Sequence, residues 1–238
     1  MKNDQEEFQD YIQAGFEPVQ TQDGSYTLKQ KGLEEEMHAR GGAISESVFI
    51  YYAALKKFFE TCSEGDDVEV LSVGLGMGYN EILTAAAYIQ SKLELKLEVI
   101  SYETEEVLKG LFLKRLEFAK EHPVFWGAFE KEMLNPVDIK KALENKLDIR
   151  GSFEKESLKA LKSKKRIILF DAYSNKTSES LWDEDFLKEL LVKSIKGSAL
   201  TTYAATGALN RALRESGFRN LKREGFLHKR QSTLAVKD

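Results

Sequence analysis

An apolar run that ends in glycine at every second position, with an alanine-rich stretch straight after it, leaves few folds open to this chain. Val68-Glu69-Val70-Leu71-Ser72-Val73 reads as a buried strand, rich in aliphatic and β-branched residues. Gly74, Gly76 and Gly78 follow within Val73-Gly74-Leu75-Gly76-Met77-Gly78, and Asn80 to Gln90 reads as a helix. Glycine lets the backbone turn sharply and approach a ligand closely, while a helix N-terminus favours an anionic group. The G-x-G-x-G spacing is tighter than the G-x-G-x-x-G of a dinucleotide fingerprint. It suits a nucleoside that carries a carboxylate better than a pyrophosphate. A glycine turn that serves packing alone is the plainer reading of the same residues.

Glu103 adds weight to the ligand reading. It stands just past a second strand, Leu97-Glu98-Val99-Ile100-Ser101-Tyr102, and 25 residues after Gly78. An acid there accepts hydrogen bonds from two ribose hydroxyls. Alone, it reads as a first-turn charge beside a capping Thr104. The alternation continues with a helix from Glu105 to about Lys120, a helical insertion at 121–146 and a short strand near Lys146–Ile149. A helix from Phe153 to Leu161 leads to the strand Arg166-Ile167-Ile168-Leu169-Phe170, which ends at Asp171. A helix over Asp183–Ser194, a strand over Ser198–Tyr203 and a helix over Gly207–Ser216 follow. Phe218–Arg223 and Ser232–Val236 then read as two strands joined through Glu224-Gly225-Phe226, with no helix between them. Alternating units closed in this way give an α/β sheet, mostly parallel, with an antiparallel C-terminal hairpin. Together with the glycine spacing, the closing hairpin predicts the class I methyltransferase (Rossmann-like) sheet. The same features predict S-adenosylmethionine as the cofactor, in place of a nicotinamide dinucleotide.

Residues 1–60 are expected to form an N-terminal extension of hairpin and helix packed on a cofactor-binding core of residues 61–238. The polar stretch to about Gln20 reads as a loosely attached helix or arm. Asp23-Gly24 is a turn signal, and Tyr26-Thr27-Leu28 is expected to pair with Glu36-Met37-His38. Gly41-Gly42 breaks the chain. Ser45, with Glu46 behind it, opens a helix that carries Val48, Phe49, Tyr52, Leu55 and Phe59 at helical spacing.

Composition excludes several classes. Hydrophobic residues at 42% and charged residues at 31% describe an ordinary globular protein. No apolar run approaches the ~20 residues that span a bilayer. The acidic start, MKNDQEEFQD, lacks the basic and apolar parts of a signal peptide, so a cytoplasmic protein is expected. Cys62 is the single cysteine, which rules out an intrachain disulfide and a cysteine-based zinc site. His38, His122 and His228 are far apart, and no metal is expected. A net charge of −4 argues against binding nucleic acid through bulk charge. Local charge differs, however. Lys155, Lys159, Lys162, Lys164, Lys165 and Arg166 are dense, as are Arg211, Arg214, Arg219, Lys222, Arg223, Lys229 and Arg230. Each cluster alone reads as a solvated helix face; together they leave a one-sided basic surface open.

Three further segments carry a family resemblance. The first is Asp23-Gly24-Ser25-Tyr26-Thr27-Leu28, then Glu36-Met37-His38, then Gly42-Ala43-Ile44-Ser45-Glu46-Ser47. The second is Phe170-Asp171-Ala172-Tyr173-Ser174 with Leu181-Trp182. The third is Thr202-Tyr203-Ala204-Ala205-Thr206-Gly207, Arg211, Leu213 and Gly217-Phe218, continued by Gly225 to Gln231 and Thr233-Leu234-Ala235. In this order and spacing, from about Gly24 to Ala235, the chain resembles the tRNA 5-methylaminomethyl-2-thiouridine methyltransferases. It is similar to the methyltransferase domain of the bifunctional wobble-uridine enzyme and is expected to be the stand-alone form.

The resemblance implies an S-adenosylmethionine-dependent N-methyltransferase whose acceptor is the exocyclic amine of 5-aminomethyl-uridine at the anticodon wobble position of tRNA. It implies Asp171 as the acid held near that amine, where a carboxylate orients it and helps remove its proton. Gly74, Gly76, Gly78, Asn80, Glu103, Ser152 and Glu46 are the expected cofactor-binding residues. Tyr173, His38, Lys229 and Arg230 are expected to face the substrate, Tyr173 by stacking. A cap after a buried strand is the plain reading of Asp171. A hairpin histidine and a first-turn glutamate are the plain readings of His38 and Glu46. Two departures stand out. Gly151-Ser152 replaces the usual Gly-Asp, whose acid contacts the adenine amine, and the loop before Leu181-Trp182 lacks its usual proline. The expected partner is tRNA and the expected state a monomer. Two alternatives remain, a small-molecule or protein amine as acceptor, and a non-catalytic binding module of the same fold.

Overall fold

The computed structural model describes residues 4–132, 134–174, 176–227 and 231–238. Strands β1 (Phe16–Gln20) and β2 (Tyr26–Gln30) pair as an antiparallel ribbon. The remaining strands are β3 (Asp67–Val73), β4 (Lys96–Tyr102), β5 (Leu147–Arg150), β6 (Lys165–Phe170), β7 (Ala199–Thr202), β8 (Phe218–Leu221) and β9 (Thr233–Lys237). They form one sheet in the order β5-β4-β3-β6-β7-β9-β8. Val68 to Val73 are all buried, so β3 is covered on both faces, as a parallel strand with helices on either side must be. The strands from β3 to β7 pair in parallel, and β9 runs antiparallel to both β7 and β8. This is the α/β sheet with the closing hairpin that the sequence predicts.

Topology then positions the site. From β3 the chain builds outward through β4 and β5, then crosses back to lay β6 on the other side of β3. Such a reversal opens a crevice at the carboxyl ends of the two neighbouring strands. Register aligns Val73 with Phe170, and the Asp171 N–H donates to the Val73 carbonyl at 2.9 Å. The glycine loop and Asp171, distant in sequence, therefore leave the sheet side by side.

The N-terminal segment differs from its expected form. Its arm is docked firmly, with Phe8 and Tyr11 each 1% exposed. Arg115, fully buried, donates from Nη1 to the Tyr11 hydroxyl at 2.7 Å and lies 4.3–5.0 Å from the rings of Phe8, Tyr11 and Phe125. Glu7 accepts the N–H groups of Val124 and Phe125, both at 2.8 Å, and so caps the helix Pro123–Gly127. The periodicity of residues 1–20 shows neither contact, because both partners are distant in sequence. β2 pairs mainly with β1, and the expected partner Glu36-Met37-His38 adds a bridge from Lys29 to Glu36, a Met37 N–H bond to the Leu28 carbonyl and a His38 N–H bond to the Thr27 hydroxyl in place of a regular strand. The insertion at 121–146 joins the core through Phe125 and Phe129, whose rings lie 5.7 and 5.6 Å from that of Tyr79.

The C-terminal part of the first basic cluster is spent on the fold. Arg166 is buried against Glu69 at 2.9 Å, and Lys164 bridges Asp67 and Glu98 at 2.8 and 3.2 Å. These residues sit at the amino ends of β3, β4 and β6, the edge opposite the crevice. In the second cluster Arg211 pairs with Glu184 and Arg219 with Asp238, at 2.7 and 2.8 Å.

Candidate active site

Past the carboxyl ends of β3, β4 and β6 lies a cleft of about 780 Å³. Gly74, Gly76, Asn80, Glu103, Asp171, Tyr173, His38 and Glu46 line it, so most of the residues singled out in the sequence come together. Gly78 does not line it. Its φ of +81° opens the helix Tyr79–Ser91, and a Cβ there would lie 2.1 Å from the Phe112 ring, so it serves close packing. Ser152 is exposed outside the lining, where its neighbour Phe153 takes the place. Lys229 and Arg230, with His228, lie outside the described residues.

Gly74 has φ +98°, and a Cβ there would lie 2.6 Å from the Asp171 carbonyl oxygen, so only glycine lets the two strand ends approach. Gly76 has φ +52° and donates its N–H to Glu103 Oε2 at 2.9 Å. The Glu105 N–H donates to Glu103 Oε1 at 3.0 Å. The Glu103 carboxylate therefore ties the glycine loop to the start of the next helix, with lone pairs left for further donors.

Asp171 occupies the cleft floor. Tyr51 donates to its Oδ1 at 2.6 Å, and the Asn80 amide donates to Oδ2 at 2.9 Å. Burial pushes its carboxyl up to about 7, with Glu46 and Glu81 adding to the rise and the two hydrogen bonds opposing it. The His38 N–H donates to Thr27 Oγ1 at 2.9 Å, and its ring lies 5.2 Å from Tyr79 at the cleft wall. Glu46 is 4% exposed and accepts the Ala39 N–H at 2.7 Å. Tyr173 borders the cleft, and burial with Glu103, Glu35 and Glu105 nearby raises its phenol. Over the mouth, Glu35 accepts hydrogen bonds from Ser174 and Thr177, joining the segment after β2 to the loop after β6. Tyr51 and Glu35 also line the cleft, and no motif or spacing in the sequence marks either.

Carboxylates dominate the lining: Glu34, Glu35, Glu36, Glu46, Glu103, Glu105 and Asp171, against Arg40, which is paired with Glu36 at 2.6 Å. Such a site favours cations. Leu75, Tyr102, Leu108 and Phe153 supply an apolar part to the same cleft. A glycine cradle that a Cβ would fill, an acid past the second strand, an apolar wall and a cation-favouring floor fit a nucleoside sulfonium.

The sheet and this cleft define a class I, nucleoside-binding α/β enzyme. The family model described as S-adenosyl-L-methionine-dependent methyltransferase matches residues 117–238, and the chain belongs to that family. S-adenosylmethionine is its cofactor, as the sequence predicts. The matched stretch includes Asp171 and leaves the glycine loop and Glu103 outside it. An uncharacterized protein of Methanocaldococcus jannaschii is 31% identical over 222 residues, covering 92% of this chain and 59% of its own length. The tRNA 5-methylaminomethyl-2-thiouridine biosynthesis bifunctional protein MnmC of Leptospira interrogans is 27% identical over 228 residues, covering 91% of this chain and 33% of its own. The chain thus spans about three fifths of the first of these relatives and one third of the second. The crystal structure of MNMC2 from Aquifex aeolicus has the same fold, with a TM-score of 0.66 at 22% identity over 99% of this chain and 78% of that one. The resemblance to the methyltransferase part of these proteins, read from the sequence, is borne out. Among the described residues no helix is long and apolar enough to cross a membrane.

Glu81 lies beneath the cleft in the helix that follows the loop. It is fully buried, accepts the Ser101 hydroxyl at 2.7 Å, and burial pushes it up to about 7. Its other oxygen and Ser72 Oγ make no hydrogen bond of normal geometry, although Ser72 is near enough to act on its titration. A carboxyl raised in the folded state binds its proton more tightly there than in the unfolded chain. Its ionisation therefore costs nothing below its ordinary 4.5 and progressively more as pH rises through about 7. Glu81→Gln keeps the acceptor for Ser101 and gains a donor for Ser72. It should raise stability by about 1–3 kcal/mol at pH 8 and by little at pH 4. Thermal melts at the two pH values check this, and a pH-independent difference would contradict it.

Proposed function

We propose that this methyltransferase acts on an amine nitrogen, and that its acceptor is the exocyclic amine of 5-aminomethyl-uridine at the wobble position of tRNA. The observation that carries the reading is Asp171, a carboxyl at the carboxyl end of β6 held by Tyr51 and Asn80 within an acid-lined cleft. The cofactor, when bound, supplies an electrophilic methyl group on a cationic sulfur. An alkyl ammonium cannot attack that methyl until it loses a proton. Asp171 accepts a hydrogen bond from the amine, aligns it and takes the proton; the surrounding glutamates favour the cationic amine on entry. Glu103 receives the ribose hydroxyls, Gly74 and Gly76 let the backbone approach the cofactor, and Tyr173 stacks on the acceptor base. Support for the acceptor comes from the relatives named for tRNA 5-methylaminomethyl-2-thiouridine biosynthesis. A cytoplasmic setting goes with it.

A second acceptor class has an observation in its favour. The acids of the cleft and the pairing of Lys164, Arg166, Arg211 and Arg219 within the fold suit a small-molecule or protein amine at least as well as a polyanion. Calorimetric titration with S-adenosylmethionine, followed by methyl transfer to tRNA from a strain blocked at aminomethyl-uridine, separates the two. Transfer to that tRNA, lost as salt rises, supports the RNA reading. Binding without transfer removes it and directs the search to other amines.

A further inference from the structure

We propose that Tyr51 is a positioning residue for the methyl transfer, holding the Asp171 carboxylate in its proton-accepting form from a π turn braced by Thr201 and Arg223. The proposal rests on the reading of Asp171 as the base. Residues 43–60 run as one helix, but Val48–Tyr52 are wound as a π turn. Such turns are rare and concentrate at functional sites. Within it, the Ile50 carbonyl accepts Thr201 Oγ1 from β7 at 2.8 Å and Arg223 Nη1 from just after β8 at 2.9 Å. Arg223 Nη1 also donates to Thr201 Oγ1 at 3.2 Å, and its guanidinium covers the Phe49 ring at 5.0 Å. One residue on, Tyr51 is 1% exposed and directs its hydroxyl to Asp171 Oδ1 at 2.6 Å. Hydrogen bonds thus tie the closing hairpin and β7 to one backbone carbonyl of the turn, and the side chain of the very next residue reaches the floor of the cleft.

The direction of the effect follows from what surrounds Asp171. Burial disfavours its charge, as do Glu46 from the same helix and Glu81 from the helix after the glycine loop; the Tyr203 phenol at the end of β7 is raised by burial and by Asp171 and so stays neutral beside it. Tyr51 and Asn80 are the contacts that favour the anion. The buried Tyr51 phenol is itself held well above its ordinary value, so it remains a donor throughout the working range. Arg223 is half-buried and spent on a carbonyl, which sets it apart from a cation that meets phosphate.

Tyr51→Phe and Thr201→Val test the path with two readouts. The first is the titration of the Asp171 carboxyl followed by carbon-detected NMR on the protein alone. The second is the pH profile of kcat/KM for amine methylation. Tyr51→Phe should move the carboxyl titration and the rising limb of the profile upward together by about one pH unit, with cofactor affinity unchanged and turnover recovered at high pH. Thr201→Val, which removes a buried donor that does not itself line the cleft, should move both the same way by about half a unit. It carries the test alone should Tyr51→Phe fail to fold. A folded Tyr51→Phe or Thr201→Val protein whose Asp171 titrates as in the wild type overturns the proposal. Full turnover of Asp171→Ala would instead remove the base assignment, whatever the titrations show.

Discussion

Asp171→Asn should lower the turnover of amine methylation by about a hundred- to ten-thousandfold, while S-adenosylmethionine still binds within a few-fold of the wild-type affinity. The replacement keeps the shape of the side chain. Its amide oxygen still accepts from Tyr51, and Asn80, whose own Oδ1 is buried without a hydrogen bond, can turn to accept from the new amide nitrogen. The fold is therefore retained and only the proton acceptor is lost. The wild-type profile of kcat/KM should rise with pH through about 7, where the buried carboxyl titrates in the free protein. The stability of the variant should run the other way. Because the folded carboxyl is raised from 3.8 to about 7, wild-type stability falls as pH climbs through that window, and the amide escapes the cost. Stopped-time methylation assays, titration calorimetry and melts at pH 5 and pH 8 check the three parts. Wild-type turnover would return Asp171 to the role of a strand-end cap.

Local chemistry explains what was legible in the sequence. The run Val68–Val73 and the glycines behind it sit in consecutive positions, and a strand, a tight turn and a helix start are decided within a few residues of one another. Asp171 was legible because a buried strand ends at it, and the sheet's switch point does the rest. Tyr51 was not. The spacing of Val48, Tyr52, Leu55 and Phe59 assigns one apolar face at 3.6 residues per turn, whereas the π turn adds a residue and lets both Tyr51 and Tyr52 be buried. No periodicity signals a π turn in advance. The tether of the N-terminal arm was hidden for a different reason: Glu7, Tyr11 and Arg115 are each unremarkable alone and gain meaning from contacts across more than a hundred residues. The basic clusters show the converse, since charge density in sequence does not say which cations find carboxylates. Arg166 and Glu69 lie on adjacent strands in register and bury each other.

The three glycines looked equivalent in sequence and should respond unequally. Gly74→Ala should weaken S-adenosylmethionine binding by at least about a hundredfold and lower the melting temperature as well. At φ +98° an alanine is strained by about 1–3 kcal/mol, and its Cβ would lie 2.6 Å from the carbonyl oxygen of Asp171 and 3.1 Å from the carbonyl carbon. Backbone cannot rotate aside as a side chain can, so β3 and β6 must part at their carboxyl ends, which spoils both the cofactor loop and the place of Asp171. Gly76→Ala meets only the Met37 sulfur at 3.3 Å, in a conformation nearer the left-handed helix, and should weaken binding about tenfold or less with little change in stability. Gly78→Ala would drive a methyl into the Phe112 ring and should appear chiefly in the melting temperature. Calorimetric titrations and melts of the three variants give the order directly. Equal losses of affinity would mean that the loop binds the cofactor as one flexible segment, and an unaffected Gly74→Ala would show that the close approach of the two strand ends is not what shapes the site.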